Sequence, residues 1–232
     1  MTKKFTTLRL KGSNPKTIPY ISFGSFVTVV DAYSLKECPT IVEIGAYQGA
    51  FTEIMSKRSP SSRILAVEAD ERTFHILAEN TEKLTNVETM QSLIGTENKV
   101  VQFNLANANG TNTSPSTLSD KLHSSVQGFE INYVPQNIMS CTLSKFCDSH
   151  DISSIELLIM DVTRAELDIL RSSSKMISRT NWIMMRVYNR NKLMAVEGSP
   201  LLTDYIKLLA PYGFELEFIV HRGKFFAFRR TN

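Results

Sequence analysis

The feature that most restricts the fold is a regular alternation of short apolar runs with amphipathic stretches from residue 41 onward. Runs of this length rich in Val, Ile and Leu are typical of buried strands, and the stretches between them carry apolar residues at helical spacing. The alternation indicates an α/β fold, a mostly parallel sheet with helices on both faces. The predicted strands are residues 41–44, 64–69, 87–93, 155–161 and 182–188.

The end of the chain predicts a reversal of strand direction. Residues 214–220 (FELEFIV) and 224–230 (KFFAFRR) flank a three-residue connection that ends in Gly223. Such a connection is typical of a β-hairpin, so we expect the last strand to run antiparallel to its neighbour. A dinucleotide-binding doubly wound fold would be expected to end on parallel strands instead.

No internal repeat or linker divides the chain, so we expect one domain over residues 38–232. Residues 1–37 are predicted to form an N-terminal extension, which packs on the domain or frays, followed by a helix over 24–37. Ser199-Pro200 predicts a later helix start, with Ser199 as its N-cap, and Pro211 predicts the end of that helix.

Two predictions concern the middle of the chain. Residues 99–105 (KVVQFNL) alternate in polarity as an additional strand does. Residues 106–128 are rich in Asn, Ser, Thr and Gly and show no apolar period. We predict a long loop there, either a functional lid or an excursion without structure of its own.

Composition excludes several classes of protein. A chain of 232 residues with 42% hydrophobic and 21% charged residues is an ordinary globular protein, large enough to form a core without disulfides or a structural metal. No apolar run is long enough for a membrane span, and MTKKFTTLRLKG lacks the apolar segment of a secretion signal, so we expect a cytoplasmic protein. A net charge of +3 is too weak to indicate a nucleic-acid partner.

Neither the cysteines nor the histidines have the spacing of a metal site, so no metal is predicted. The cysteines are expected to be free thiols. These residues are Cys38, Cys141, Cys147, His75, His123, His150 and His221.

The sharpest local motif is the glycine turn after the first of these strands, Glu43-Ile-Gly-Ala-Tyr-Gln-Gly49. Gly45 lacks the Cβ where a cofactor would approach, and Gly49 opens a helix whose amides can bind a carboxylate. Tyr47 stands where the dinucleotide motif has its second glycine, which disfavours a pyrophosphate cofactor. Glu68 ends the next strand, where a carboxylate can accept both hydroxyls of a ribose. A plain turn glycine and a solvated strand end are the structural alternatives.

Three stretches resemble S-adenosylmethionine-dependent methyltransferases of the seven-strand Rossmann-like class, and among them the FkbM family. They are IVEIGAYQGAFTEIM (41–55), ILAVEADERTFHILAEN (64–80) and TLSKFCDSHDISSIELLIMDVTRAELDIL (142–170). The third is the most specific, because it resembles the family's strand ending in Asp-Val-Glu-Gly-Ala-Glu. The resemblance covers about residues 38–172.

The resemblance implies S-adenosylmethionine as the cofactor and methyl transfer to an oxygen of a small-molecule or saccharide acceptor. It implies Glu68 as the ribose ligand and Ser92 and Leu93 beside the adenine. The wall around the methionine part of the cofactor is then formed by Glu43, Gly45, Ala46, Tyr47 and Gly49. RNA or protein methylation and a non-catalytic cofactor-binding module are the alternatives, and an oligomer is compatible with the sequence.

Acceptor chemistry is predicted at the end of the strand over 155–161. Asp161 and Glu166 are the candidate catalytic carboxylates, able to remove a hydroxyl proton or to hold a divalent cation. The structural alternative is that Asp161 only caps the following helix, with Glu166 in its first turn complementing the helix dipole. Where the family has Glu-Gly this chain has Thr163-Arg164, and Arg164 and Arg186, with Arg190 nearby, predict an anionic acceptor or a solvated basic rim.

Overall fold

The computed structural model describes residues 5–8, 16–107, 125–126, 129–130, 132–187, 200–221 and 223–231. The strands in these ranges are β1 (Phe5–Leu8), β2 (Lys16–Ile21), β3 (Thr40–Ile44), β4 (Arg63–Glu68), β5 (Val87–Gln91), β6 (Leu93–Gly95), β7 (Val100–Asn107), β8 (Ser125–Val126), β9 (Phe129–Glu130), β10 (Asn132–Thr142), β11 (Ile155–Met160), β12 (Thr180–Arg186), β13 (Phe214–Val220) and β14 (Phe225–Arg230). The helices are α1 (Phe23–Tyr33), α2 (Ala50–Arg58), α3 (Glu71–Thr81), α4 (Leu143–Ser149), α5 (Glu166–Arg171), α6 (Ser174–Ile177) and α7 (Leu202–Leu209).

The main sheet has nine strands in the order β1-β2-β13-β14-β12-β11-β3-β4-β5. Strands β12, β11, β3, β4 and β5 are parallel to one another, and β14 runs antiparallel to both of its neighbours. One face of the sheet packs on α4 to α7 and the other on α1 and α2. The predicted α/β architecture, with a mostly parallel sheet and a reversed last strand, is therefore confirmed.

The continuous apolar runs come from strands that are covered on both faces. Every residue of β11 is buried, and Leu158 packs with the α4 to α7 side while Leu157 packs with the α1 side. A strand buried on both faces carries apolar side chains at most positions, so its sequence does not alternate in polarity. β11 and β3 end at the same edge as β4, and this edge positions the site described below.

The N-terminal extension adds strands to the sheet that the sequence did not predict. β2 pairs parallel with the end of β13, Tyr20 opposite Ile219, and β1 forms an antiparallel pair with β2. Ile18 is buried. The predicted seven-strand sheet is present, and β1 and β2 extend it at one edge. No local signal in the sequence indicates this extension, because β2 pairs with a strand some 200 residues away. The domain boundary at residue 38 stays a prediction.

Several predicted boundaries were wrong. Helix α1 ends at Tyr33 rather than 37. Helix α7 begins at Leu202 with Leu201 as its N-cap, later than Ser199-Pro200 predicts, and Ser199 lies outside the described residues. The last helical turn before Gly213 is a separate 3₁₀ turn that contains Pro211.

The region after α3 also differs from the prediction. The strand expected over 87–93 divides into β5 and β6, and β6 leaves the main sheet to pair with β10. The expected loop 106–128 begins later, because Ala106 and Asn107 belong to β7, which pairs along its length with β10. β8 pairs with β9. Residues 108–124 and 127–128 of that predicted loop lie outside the described residues.

Candidate active site

The glycine turn, residues 45–49, connects β3 to α2 and is held by the backbone of the neighbouring strands. The amides of Gly45 and Ala46 both donate to the Val67 carbonyl, at 2.9 and 3.0 Å. Gly45 has φ +79°, and a Cβ there would lie 3.0 Å from the Asp161 carbonyl carbon and closer still to its oxygen. The glycine predicted to make room for a cofactor is thus already required by the main chain that follows β11.

The far end of the turn opens α2. Gly49 is the N-cap with φ +88°, and a Cβ on it would lie 2.9 Å from the Leu77 Cδ1 atom of α3. Tyr47 also has a positive φ, +53°, and its side chain is 39% exposed, whereas Ala46 is buried. The turn therefore presents Tyr47 and the amides at the start of α2 at the edge of the sheet.

Glu68 joins the glycine turn to the end of β4. Its Oε2 accepts from the Tyr47 amide at 2.9 Å, and its Oε1 accepts from the amides of Ala69 and Asp70 at 3.0 Å each. A carboxylate has about four acceptor positions, so one remains on Oε2 for a further donor. Burial raises the pKa of Glu68, and these backbone bonds oppose that shift.

Glu43 lies beneath the turn rather than on its exposed side. Its carboxyl is buried and accepts a hydrogen bond from the Thr52 hydroxyl at 2.5 Å. Burial, with a smaller contribution from the negative charges of Asp161 and Glu68, raises the pKa of Glu43 to about 8. Glu43 thus braces β3 against α2, a contact that the sequence did not predict.

Ser92 and Leu93 follow β5 directly, beside Glu68. The Ser92 amide donates to the Glu68 carbonyl at 3.0 Å, and the Ser92 hydroxyl lies 3.5 Å from the Cys141 Sγ atom. Leu93 is buried at the start of β6. The structure thus brings the predicted ribose ligand and the predicted adenine neighbours together at one corner of the sheet.

Asp161 follows β11 and forms an ion pair with Arg186 at the end of β12. Arg186 Nε donates to Asp161 Oδ1 at 2.6 Å, and Nη2 donates to Oδ2 at 2.5 Å. The Asp161 amide donates to the Ile44 carbonyl at 3.0 Å, which ties it to the end of β3 just before the glycine turn. The two residues predicted to act separately, one in catalysis and one in acceptor binding, are therefore direct partners.

Glu166 begins α5 and is fully buried. Its Oε1 accepts from the Val162 amide at 3.1 Å, and its Oε2 has no hydrogen-bond partner within the described part of the chain. Burial raises the pKa of Glu166 to about 8, with the nearby Asp161 charge adding to the shift. Glu166 lies in the first turn of α5, as its structural alternative predicts, but the N-cap of that helix is Ala165, so the prediction that Asp161 caps it was wrong. The Glu166 carboxyl instead spans the loop from residue 162 to 165.

The loop that Glu166 spans contains two successive residues in the left-handed region, Thr163 at φ +52° and Arg164 at φ +77°. Both side chains are buried. Arg164 occupies the place of the family's glycine, and non-glycine residues pay about 1–2 kcal/mol for this conformation. Arg190, the third predicted arginine, lies outside the described residues.

Sequence reasoning missed one link at the cofactor corner. The Arg72 guanidinium donates to both carboxylate oxygens of Asp70, at 3.0 and 2.6 Å. It also donates to the Ala106 carbonyl of β7 at 3.0 Å. Asp70 is the N-cap of α3, and its side chain accepts a hydrogen bond from the Arg72 amide. The Asp-x-Arg spacing was a usable signal, but nothing local indicated that β7 would lie beside it.

Two features of the described ranges concern metal ions and membranes. Among the residues that the structure describes, no three or more His, Cys, Asp or Glu side chains form a group able to hold a metal ion. In those same ranges, no helix is both long enough and apolar enough to cross a lipid bilayer.

A glycine turn after a central parallel strand, an acidic residue at the end of the next strand and a reversed final strand define a Rossmann-like methyltransferase. Residues 43–216 match the family described as the methyltransferase FkbM domain, and the chain belongs to this family. It is therefore an enzyme, an S-adenosylmethionine-dependent methyltransferase of the FkbM type, which confirms the prediction from its motifs.

Individual relatives agree with this assignment. The 2-O-methyltransferase NoeI of Sinorhizobium fredii is 24% identical over 187 residues, covering 79% of this chain and 76% of that protein. The solved methyltransferase FkbM from Methylobacillus flagellatus KT has a TM-score of 0.54 at 13% identity, over 90% of this chain and 48% of that one. The fibrillarin pre-rRNA processing protein of Methanococcus jannaschii has a TM-score of 0.52 at 9% identity, over 99% and 90%. Both structures share the fold.

Proposed function

We propose that this enzyme binds S-adenosylmethionine across the ends of β3 and β4 and methylates a hydroxyl oxygen of a small-molecule or saccharide acceptor. The observation that carries the proposal is the 2.9 Å hydrogen bond from the Tyr47 amide to Glu68 Oε2. This bond holds the glycine turn against Glu68 at the end of β4. A nucleoside and an amino acid can bind there side by side.

The residues at this corner fit the cofactor. The remaining acceptor position on Glu68 Oε2 suits one ribose hydroxyl, and the amides that open α2 suit the carboxylate of the methionine part. Ser92 and Leu93 lie next to Glu68, and the adenine would bind beside them. Ala46 and Tyr47 border the methionine part, while Glu43, Gly45 and Gly49 give the turn its shape.

When bound, S-adenosylmethionine supplies a methyl group on a cationic sulfur. The chain's own task is then mainly alignment, which accounts for about 7–11 kcal/mol of barrier lowering in well-oriented reactions. Asp161 stands at the carboxyl ends of the parallel strands, held by its amide to β3, and accepts the hydroxyl proton of the acceptor. Glu166, buried beneath the same loop, holds the loop rather than the acceptor.

An oxygen acceptor is supported by the relative whose name is a 2-O-methyltransferase. The mild net charge of +3 supports a small acceptor rather than a polyanion. Binding of an anionic acceptor by Arg164 and Arg186 stays a prediction, since Arg186 directs two of its nitrogens at Asp161.

Replacement of Glu68 tests the cofactor site. We expect Glu68→Ala to weaken S-adenosylmethionine binding about 10- to 100-fold, because a charge-assisted hydrogen bond contributes about 1.5–3 kcal/mol. Thermal unfolding is measured with S-adenosylmethionine, S-adenosylhomocysteine and NAD. The unmodified protein at about 100 times the dissociation constant gains about 2.7 kcal/mol from the two adenosyl-sulfur compounds alone.

Glu71→Ala is the matched control, because Glu71 lies three residues further along with a side chain 73% exposed. It should bind both adenosyl-sulfur compounds as the unmodified protein does. Equal stabilisation by NAD, or full binding by Glu68→Ala, would contradict the assignment. Transfer of labelled methyl groups to a panel of sugars and small alcohols then tests the acceptor class.

A further inference from the structure

Three strand ends meet beside the glycine turn. Met160 and Met185 are paired in the register of β11 and β12, so Asp161 and Arg186 leave their strands side by side. Arg186 is in turn paired with Phe225 at the start of β14. The pairing of these strands fixes the relative positions of a carboxylate, a guanidinium and an aromatic ring.

The contacts among the three residues hold Arg186 in one orientation. Its guanidinium forms two parallel hydrogen bonds with Asp161, and its central carbon lies 4.9 Å from the centre of the Phe225 ring. Both charged side chains are 24% exposed. A two-point pair of this kind, stacked on a buried ring, is geometrically more specific than a surface ion pair.

Arg186 is the countercharge that contacts Asp161 directly. Glu43 of β3 and Glu166 of α5 also interact electrostatically with Asp161, and burial raises the pKa of each to about 8. Both are therefore mostly protonated at neutral pH. The carboxylate of Asp161 and the guanidinium of Arg186 carry opposite charges that sum to zero.

We propose that Asp161 and Arg186 act as one electroneutral unit beside the cofactor sulfur, in which Arg186 is a positioning residue that holds and neutralises the carboxylate. This inference rests on the proposed function. A bare carboxylate would attract the cationic sulfur of the bound donor, whose charge is lost as the methyl group leaves. It would thus stabilise the ground state more than the transition state and slow the transfer. Arg186 removes that effect while keeping an oxygen of Asp161 in place.

The ratio of the affinities for S-adenosylmethionine and S-adenosylhomocysteine measures the charge near the sulfur, because one ligand carries a sulfonium and the other a neutral thioether. We expect Arg186→Gln to shift this ratio about tenfold toward S-adenosylmethionine, and Asp161→Asn to shift it about tenfold the other way. The double variant should return to within about threefold of the unmodified protein. Isothermal titration calorimetry provides all eight dissociation constants.

Two further variants serve as controls. Arg186→Lys keeps the charge and should leave the ratio within about threefold of the unmodified protein. If Arg186→Gln does not fold, Arg186→Met replaces it, because it removes the charge and keeps the apolar stem over Phe225. In turnover, Arg186→Gln should lower both kcat and the KM for S-adenosylmethionine, whereas loss of structure alone would lower kcat without tightening binding.

Ratios that move less than threefold in both single variants would overturn the inference, as would shifts of the same sign. If the unmodified protein binds both ligands but the ratios do not move, only the electroneutral unit is wrong. If the unmodified protein binds neither ligand, the proposed function is wrong, and the inference falls with it.

Discussion

Gly45→Ala should destabilise the protein by about 2–5 kcal/mol. The new Cβ would lie 3.0 Å from the Asp161 carbonyl carbon and closer to its oxygen, and both are main-chain atoms that cannot rotate away. The left-handed φ of +79° adds about 1–2 kcal/mol for a residue with a Cβ, and forced overpacking adds about 1–3 kcal/mol. Because whole domains are stable by only about 5–15 kcal/mol, urea unfolding followed by circular dichroism should show a much lower midpoint.

Two other glycines provide the comparison. Gly24 lies within α1 with ordinary φ, and a Cβ there would meet nothing nearer than 3.6 Å, so Gly24→Ala should be neutral or stabilising by up to about 1 kcal/mol. Gly49→Ala should fall between the two, because the nearest atom, at 2.9 Å, is the end of the Leu77 side chain. A loss below about 1 kcal/mol for Gly45→Ala would show that the close approach of the glycine turn to the main chain at residue 161 is not fixed.

Stability should fall as the pH rises from about 5 to 8. Burial raises the pKa of Glu43 and of Glu166 to about 8, above the usual 4.5, so between these values the folded state holds protons that the unfolded state releases. Their contribution is therefore complete below about pH 4.5 and is lost as the pH passes through 8. Each group contributes up to about 1.4 kcal/mol per pH unit, and we expect a total loss of about 3–6 kcal/mol over this range.

Urea unfolding at pH 5, 6, 7 and 8 measures this slope. Glu166→Gln keeps a neutral side chain of the same size, so it should reduce the slope and gain stability relative to the unmodified protein at pH 8. Glu53→Gln, which changes a glutamate on the surface of α2, should leave the slope unchanged. A flat profile, or a slope that Glu166→Gln does not alter, would show that the buried carboxyls are charged in the folded state.

The elements that sequence predicted well are those whose local pattern reports burial. Strands β3, β4, β11 and β12 are mostly apolar because both of their faces are covered, and the final hairpin follows from its short connection and Gly223. β10, NYVPQNIMSCT, carries a proline and polar residues, and much of it is exposed. Its strand conformation comes from pairing with β7, and such pairing leaves little trace in a single segment.

The same distinction holds at the site. The glycine turn and Glu68 could be placed from their order along the chain, because the turn follows one predicted strand and Glu68 lies at the end of the next. Asp161 and Arg186 lie 25 positions apart, and only the lateral register of β11 and β12 brings them into contact. Sequence could therefore name both residues but could not show that each is the partner of the other.

At the contact between Gly45 and residue 161, the main chain fixes the shape of the glycine turn and the side chain of residue 161 supplies the chemistry. The atoms of residue 161 that fix the turn are its carbonyl carbon and oxygen, whereas its side chain is directed to Arg186. Every amino acid carries those same main-chain atoms, so position 161 can be randomised together with position 186 in a library that leaves position 45 as glycine. New acceptor chemistry can then be sought by directed evolution while the loop that receives the methyl donor stays intact.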